Sequence, residues 1–440
     1  MVTKSVRAVP SSAAGGEAPT RARYWVIFFA VTLSILAYID RVSISMAMPR
    51  IANDLELSPV QVGWVFSAFA IAYALFEIPG GWLGDRMGPR SVLMRIVLWW
   101  SAFTALTGAT TGYLSMLVTR FLFGAGEAGC FPNLTKAFTI WLPHGERVRA
   151  QGIMWMFARW GGALTPKLVF FVFAFVSWRG SFFLFGAIGL IWAFFFYHWF
   201  RDNPREHKSP NAAELKLLEG TERNAGGHGD VPWRKLLTSR TIWLLWAQYF
   251  LLSFPWYFYI TWLPTYLQKA RGLDEGTAAW YAGLPLLLGG FGSLTCGFVS
   301  GVVTKATGNV RFTRRLMAMI GFAGAAILLV ASIRTEAVLP AMLLMGMASF
   351  FNDLVMPGSW GACMDVGGKY AGTVSGSMNM AGNIAGFVAP PVGGYILAAY
   401  SGNYDVFLYL MAVVYALGVL CWPFIDPVTP IDADDAVPAH

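Results

Sequence analysis

The sequence predicts an all-α polytopic membrane protein with twelve transmembrane helices in two six-helix bundles. Of its 440 residues, 56% are hydrophobic and only 13% are charged, whereas about a quarter of the residues in soluble domains are charged. Apolar stretches recur along the whole chain, with the length of about 20 residues that a helix needs to cross a bilayer. One long polar stretch, residues 201–240, divides these stretches into six and six.

Twelve apolar stretches are the predicted spans. They lie at residues 24–49, 60–82, 92–111, 114–139, 150–176, 180–200, 241–267, 277–303, 315–333, 338–361, 371–399 and 403–425. The N-terminal bundle is expected over 24–200 and the C-terminal bundle over 241–425, with a cytoplasmic linker between them. Residues 1–23 are expected to form a disordered cytoplasmic tail and residues 426–440 a second one. No signal peptide is expected, because no short apolar core with a cleavage site precedes the first span.

Lysine and arginine are distributed unevenly about the spans: 21 of 32 fall on one side, five on the other and six within the spans. Since basic loops remain in the cytoplasm, both termini are expected to be cytoplasmic, in a bacterial inner membrane. The net charge of +8 follows from this topology and gives no support for nucleic-acid binding. The four cysteines lie far apart, without a CxxC pair or metal-ligand spacing, so no metal or cofactor is expected.

The second and eighth spans end in similar sequences, "EIPGGWLGDRMGPR" (77–90) and "GFVSGVVTKATGNVRFTRR" (297–315). Each runs from a helix rich in small residues through a tight turn to a basic loop, which indicates a degenerate internal repeat. Repeated bundles with a site between them are typical of secondary transporters. A membrane enzyme or a sensor is the weaker reading, because no nucleophile elbow, metal cluster or phosphate-binding loop is present.

Six basic residues lie inside the predicted spans: Arg41, Arg95, Arg120, Lys136, Arg159 and Lys167. Arg95 and Lys136 lie near cytoplasmic ends and Lys167 lies toward an outer end, so their side chains could reach water. We interpret these three as structural.

Five charged residues lie nearer the middle of their predicted spans, where the side chain cannot reach water so easily: Asp40, Arg41, Arg120, Glu127 and Arg159. Each costs about 2.5 to 3.5 kcal/mol in the bilayer centre, so they must pair or face a water-filled cavity. Arg120 and Glu127 are seven residues apart, on one face of the fourth helix. Asp40, on the antiparallel first helix, is expected near the level of Arg120. A network that only fixes helix packing is the alternative.

These charges suggest proton-coupled anion binding. While Asp40 and Glu127 are ionised, they compete for the arginines; protonation would free the guanidinium groups to bind an anion. Proton and anion would then bind cooperatively, and this coupling is reciprocal. That is the requirement for a symporter.

The stretch "GGWLGDRMGPR" resembles the cytoplasmic signature of the major facilitator superfamily, and the resemblance extends across all twelve spans. It implies the major facilitator fold and a conformational gate, in which Asp85 and Arg86 can pair and contact a neighbouring helix end. The alternative is a turn with topology-setting arginines. The gate residues are Gly80, Gly84, Asp85, Arg86, Gly88 and Arg90.

"YIDR" in the first helix, "RFLFGAGEAGCFPN" in the fourth, "WLPTYL" in the seventh and "GTVSGSMNMAGNIAG" in the eleventh resemble the anion:cation symporter branch of that superfamily. The resemblance to its sugar-acid members implies that Asp40 and Glu127 couple protons, and that Arg120 holds the substrate carboxylate. Further expected substrate contacts are Arg41, Tyr38, Tyr73, Arg159, Tyr257, Asn379 and Asn383. The two asparagines could instead only join helices.

The seventh span contains no lysine or arginine but is rich in aromatic residues, among them Trp256, Tyr257, Tyr259 and Trp262. This composition favours a polyhydroxylated monocarboxylate over a dicarboxylate. Arg159 opposes that preference, because another inward cation could bind a second carboxylate. The roles of Glu77 and Asp353 remain open.

The sequence thus predicts a secondary active transporter, not an enzyme, that imports a sugar acid by proton symport with alternating access. A hexonate or hexuronate such as galactonate or glucuronate is the expected substrate. The proton is the coupling ion, the bilayer is the surrounding medium and a monomer is the family's state. An organic-anion or organophosphate exchanger is the alternative.

Overall fold

The computed structural model describes residues 17–57, 59–219 and 231–431. Within these ranges the chain forms sixteen α-helices and no β-strand. The helices are α1 (Tyr24–Asp54), α2 (Pro59–Met87), α3 (Pro89–Gly108), α4 (Tyr113–Glu127), α5 (Cys130–Trp141), α6 (His144–Phe173), α7 (Trp178–Trp199), α8 (Ala212–Leu217), α9 (Trp233–Thr238), α10 (Arg240–Thr261), α11 (Leu263–Lys269), α12 (Glu275–Thr307), α13 (Val310–Ile333), α14 (Val338–Gly367), α15 (Ala371–Ala399) and α16 (Tyr404–Cys421).

Each of the twelve predicted spans coincides with one long helix or with a pair of consecutive helices. The fourth span is the pair α4 and α5, and the seventh is the pair α10 and α11. The observed helices extend past the apolar stretches: α1 continues to Asp54 and α6 begins at His144. Apolar composition marks only the part of a helix that lies in the hydrocarbon core. The backbone hydrogen bonds of the helix continue beyond it into the polar region.

Hydropathy and length alone identify eight apolar stretches in the described part of the chain, one of which joins α14 and α15. The fourth, fifth and seventh spans are missing from them. The fourth is interrupted, α6 carries three arginines and a lysine, and α10 is rich in tryptophan and tyrosine. These are spans to which the sequence assigns charged or aromatic site residues.

The break between α4 and α5 depends on Gly129. This residue adopts a φ of +81°, which favours glycine. A Cβ on Gly129 would also lie 2.6 Å from the Cα of Gly80 in α2. The chain therefore turns at the end of α4, and Glu127 becomes a helix-terminal residue within the protein interior. The sequence reading of one continuous fourth helix is corrected by this break.

The two most extensive contacts between the bundles are those of α2 with α15 and of α6 with α12. Glycines permit both approaches: a Cβ on Gly81 would lie 2.2 Å from the carbonyl oxygen of Gly372, and one on Gly152 would lie 2.5 Å from that of Ser293. The bundles are therefore in backbone contact on both flanks of the space between them.

The predicted tails and linker are more ordered than expected where the structure describes them. Buried Glu214 of α8 accepts hydrogen bonds from the backbone N–H groups of Ala22 and Arg23 and pairs with the Arg23 guanidinium at 3.0 Å. The backbone N–H of Ile431 donates to the carbonyl of Val366. Residues 17–23 and 426–431 thus pack against the bundles, because their polar groups find partners there. Residues 1–16, 220–230 and 432–440 of the predicted tails and linker lie outside the described residues.

Candidate functional site

A cavity lies between the two bundles and leaves about 520 Å³ of empty space, including its opening. The N-terminal bundle lines it from α1, α2, α5 and α6, and the C-terminal bundle from α10, α14 and α15. Its charged and hydrogen-bonding lining residues are Tyr38, Arg41, Tyr73, Trp155, Arg159, Tyr249, Ser253, Trp256, Tyr257, Asn352, Asn379 and Asn383. Both halves of the repeat therefore contribute to one polar, aromatic chamber.

Arg41 of α1 lies at the cavity wall and is paired with Glu127. Its Nε donates to Oε1 of Glu127 at 2.7 Å, and its guanidinium lies 4.6 Å from the ring centroid of Tyr73. Among the described residues, Nη2 of Arg41, Oε2 of Glu127 and the hydroxyl of Tyr73 are buried without a hydrogen-bond partner. An unmet buried donor is costly, so Arg41 and Tyr73 present donors that a bound anion could satisfy.

Asp40 and Arg120 are buried but are not among the residues that line the cavity. Arg120 interacts electrostatically with Asp40 and Glu127, and its guanidinium lies 4.3 Å from the ring centroid of Phe123. Asp40, Arg120 and Glu127 thus lie within electrostatic range of one another. Of these three residues and Arg41, Arg41 is the one that lines the cavity.

Arg159 of α6 lines the cavity and is paired with Asp353 of α14, which belongs to the other bundle. The contact is bidentate: Nε lies 2.7 Å from Oδ2, and Nη2 lies 3.0 Å from Oδ1. Nη1 donates to the hydroxyl of Tyr38 at 3.2 Å. Asp353, whose role the sequence left open, is therefore the counterion of Arg159. The pairing could not be read from the sequence, since the two residues are 194 positions apart.

The C-terminal bundle presents amide and aromatic groups to the cavity. The hydroxyl of Tyr257 donates to Oδ1 of Asn383 at 3.3 Å, and Nδ2 of Asn383 donates to the carbonyl of Asn379. Nδ2 of Asn379 donates to Oε1 of Glu77 in α2, which places the second open acid of the sequence at a contact between bundles. The asparagines thus join helices, as one of the two readings from the sequence expected, and also line the cavity.

The predicted gate residue Asp85 contacts the start of α15 in the other bundle. Its carboxylate accepts hydrogen bonds from the backbone N–H groups of Gly372 and Thr373, at 3.0 and 2.6 Å. This is favourable, because free N–H groups and the helix dipole at an N-terminus stabilise an anion. Lys136 is the ion-pair partner of Asp85, at 3.1 Å, and also donates to the carbonyl of Lys369.

Two sequence expectations at this gate are corrected. Arg86 does not pair with Asp85; it is exposed and lies 5.3 Å from the ring centroid of Trp82. Lys136 does not reach out to water, because its side chain is 1% exposed and held between Asp85 and α15. The reason is geometric: consecutive residues on a helix point in different directions, so Asp85 faces α15 while its neighbour faces outward.

The remaining gate residues shape the turn after α2. Gly88 has a φ of +84°, and a Cβ there would lie 2.6 Å from a carboxylate oxygen of Asp202. A Cβ on Gly84 would collide with Asn133, and one on Gly80 with Gly129. The backbone N–H of Arg90 donates to Asp202, and burial raises the pKa of the Asp202 carboxyl to about 6. These residues let α2 approach α5 closely and bind the start of the linker.

A second contact joins the bundles on the same side, which we call the termini side because the described ends of the chain, residues 17 and 431, lie there. Asp365 of α14 contacts Arg147 of α6 at 3.4 Å and Arg314 of α13 at 2.6 Å. Together with Asp85, it ties the two bundles at this end. The bundles are therefore joined at the termini side by specific polar contacts.

The amino-acid sequence is similar to those of known membrane transporters. Residues 30–390 match the family model described as Major Facilitator Superfamily. A probable sulfoacetate transporter, SauU, of Cupriavidus necator is 38% identical over 94% of this chain and 96% of that protein. A hexuronate transporter of Bacillus subtilis is 30% identical over 84% of this chain and 87% of that protein.

The fold comparison agrees. The structure of the proton:xylose symporter XylE, bound to 6-bromo-6-deoxy-D-glucose, has a TM-score of 0.74 with this chain at 14% sequence identity, and covers 94% of this chain and 98% of that one. At this identity the match shows the fold alone. The predicted architecture of twelve transmembrane helices in two six-helix bundles is thereby confirmed. The chain belongs to the Major Facilitator Superfamily and is a multi-pass membrane transporter, not an enzyme.

Proposed function

We propose that the chain is a secondary active transporter that imports a small organic anion by proton symport with alternating access. One observation carries this proposal: a half-buried arginine, Arg41, lies at the cavity wall, paired through Nε with fully buried Glu127, while its Nη2 has no partner among the described residues. By their names, the relatives from Cupriavidus and Bacillus carry sulfoacetate and hexuronate, which are organic anions.

The coupling step follows from charge. While Glu127 is ionised, it competes with an incoming anion for Arg41. A proton on Glu127 removes the competing charge, and the anion then takes charge-assisted hydrogen bonds from Arg41 and a neutral one from Tyr73. The linkage is reciprocal, so a bound anion also favours protonation. Asp40 and Arg120 interact electrostatically with Glu127; Asp40 would exchange the proton with Glu127, and Arg120, which stays charged, would balance the ionised carboxylate.

A sugar acid, a hexonate or hexuronate such as galactonate or glucuronate, is the first substrate class we propose. Tyr257, Asn379 and Asn383 supply hydroxyl and amide groups on the C-terminal side of the cavity, as a polyhydroxylated body requires. Sulfoacetate is the second candidate. The 38% identical relative bears its name, and Arg159 offers a second cation to the cavity.

The test is uptake into proteoliposomes of galactonate, gluconate, glucuronate, glucarate and sulfoacetate, with an inward proton gradient and with the gradient collapsed. We expect one or more of these anions to accumulate only when the gradient is present. Glu127→Gln should abolish accumulation, whereas Arg95→Gln, on the exposed face of α3, should not. Exchange of preloaded anion without gradient-driven accumulation would instead support an organic-anion or organophosphate exchanger.

We further propose that the protein resides in a bacterial inner membrane, as a monomer, with both termini in the cytoplasm. The unequal distribution of lysine and arginine supports this orientation. A cysteine placed in the linker should be labelled by an impermeant reagent in inverted membrane vesicles and be protected in intact cells. The reverse labelling would contradict the orientation.

A further inference from the structure

Arg159 is held so that part of its guanidinium stays available to the cavity. A guanidinium has five N–H donors. In Arg159, Nε and one Nη2 hydrogen bind Asp353, one Nη1 hydrogen binds Tyr38, and the second Nη2 hydrogen meets only the sulfur of Met356 at 3.6 Å. A thioether is a weak acceptor, and the fifth N–H has no partner among the described contacts. Two donors are therefore left for a ligand without loss of the ion pair.

The two cations at the cavity wall both lie near one tyrosine side chain, that of Tyr38. The hydroxyl of Tyr38 accepts from Arg159, and the Arg41 guanidinium lies 5.9 Å from the centroid of the Tyr38 ring. Their carboxylate partners, Asp353 and Glu127, are fully buried and are not among the lining residues. The cavity thus presents two guanidinium groups at a short separation, each backed by its own acid.

A buried hydrogen-bond donor next to Arg159 also lacks an acceptor. The Arg159 guanidinium lies 4.2 Å from the ring centroid of Trp256, and Nε1 of Trp256 is a buried donor without a partner among the described residues. Near Glu127, Nη2 of Arg41 and the hydroxyl of Tyr73 are likewise buried donors without a hydrogen-bond partner among the described residues. Buried polar groups are nearly always hydrogen-bonded, so unmet donors at both ends of the cavity indicate two places for anionic oxygen atoms.

We propose that Arg159 binds a second anionic group of the substrate. The chain then carries small dianions, with one charged end at Arg41 and the other at Arg159, such as a sugar diacid or a carboxylate that also bears a sulfonate. Asp353 is a positioning residue, which holds Arg159 in its orientation from the opposite bundle. This inference rests on the proposed function and reverses the preference for a monocarboxylate that the aromatic seventh helix suggested.

The test compares matched anions that differ only in the second charge. Glucarate against gluconate and sulfoacetate against 2-hydroxyethanesulfonate are such pairs. Binding to purified full-length protein is measured by calorimetry. We expect at least one dianion to bind about tenfold or more tightly than its matched monoanion, as a charge-assisted hydrogen bond allows.

The variant Arg159→Gln should weaken dianion binding by about tenfold or more and leave monoanion binding nearly unchanged, so that the discrimination is lost. Arg159→Lys should recover part of it, and Arg95→Gln should change neither. If Arg159→Gln fails to fold, the double variant Arg159→Gln with Asp353→Asn removes both charges together and serves in its place. Equal loss for both members of a pair, equal binding by the wild type, or binding of none of the four anions would overturn the inference.

Failure of this inference is distinguishable from failure of the proposed function. If gluconate accumulates on a proton gradient as well as glucarate does, and Arg159→Gln leaves their ratio unchanged, symport stands and the dianion site is wrong. If the dianion binds with the predicted dependence on Arg159 but never accumulates on the gradient, the site stands and proton coupling is wrong.

Discussion

Glu77 of α2 accepts a hydrogen bond from the side-chain amide of Asn379 of α15 at 2.6 Å, so a buried carboxylate joins the two bundles beside the cavity. Its other oxygen accepts from the backbone N–H of Gly129, at the break between α4 and α5. Glu77 therefore contacts the C-terminal bundle at the cavity wall, through Asn379, and the segment that follows Glu127. A change at either contact alters the hydrogen bonding of the same carboxylate.

Replacing Asn379 with leucine should destabilise the protein, because Glu77 loses a donor to a buried oxygen. The expected cost in the free energy of unfolding is about 1 to 3 kcal/mol. Thermal unfolding of the purified protein in detergent measures it. Glu77→Gln keeps an acceptor for Asn379 and should cost less; a larger loss for Glu77→Gln than for Asn379→Leu would contradict this explanation.

The proton-coupling cluster predicts a separation of accumulation from exchange. Asp40→Asn and Glu127→Gln should both abolish accumulation on a proton gradient, since no carboxylate is left to be protonated at that position. At least one of them should still exchange external for internal substrate, because Arg41 remains at the wall. Counterflow in proteoliposomes measures exchange. Normal accumulation by both variants would refute the role of the cluster.

Arg41 and Arg120 should differ in their effect on binding. Arg41 lines the cavity, whereas Arg120 lies buried against Phe123 outside the lining residues. Arg41→Gln should therefore weaken substrate binding by about tenfold or more, and Arg120→Gln should weaken it less while impairing proton-driven uptake. Calorimetric binding and uptake, measured on both variants, test this. A greater loss of binding in Arg120→Gln would support the role that the family resemblance implies for it.

Opening of the termini side should depend on Lys136 and Asp85. Lys136→Ala or Asp85→Asn removes a cross-bundle contact, so the cavity should open more often toward that side. A cysteine introduced at the cavity position Ser253 should then react faster with a thiol reagent added from the termini side. Arg86→Ala is the matched control, since that side chain is exposed and makes no contact with Asp85. Equal rates of thiol labelling in Lys136→Ala and Arg86→Ala would show that the contacts of Lys136 do not hold the gate closed.

The Arg159 and Asp353 pair predicts a non-additive effect on stability. Removing one partner of a buried pair leaves an uncompensated charge, at a cost of about 3 to 5 kcal/mol. Asp353→Asn alone should therefore lower the unfolding temperature strongly, and the double variant with Arg159→Gln should recover much of the loss. Unfolding of the two single variants and the double variant completes the cycle. Additive losses would show that the pair contributes no coupling energy.

The sequence by itself determined the spans, their division into two bundles and the residues too costly to leave unpaired in a bilayer. These depend on composition over about 20 neighbouring residues and on the cost of a buried charge, both of which are local properties. Arg120 and Glu127 could be placed on one face of one helix for the same reason. The resemblance of "GGWLGDRMGPR" likewise pointed to Asp85 as a gate residue, and the structure places that residue at a contact between the bundles.

The tertiary structure alone decided which of these residues meet. Asp353 was visible as an unplaced acid, yet its partner lies 194 positions away on a helix of the other bundle. Lys136 looked able to reach water, but the approach of α15 to α2 through Gly81 and Gly372 buries it against Asp85. Arg41 rather than Arg120 lines the cavity, although both are charged residues inside predicted spans. Long-range pairing depends on the packing of whole helices, which no local pattern contains.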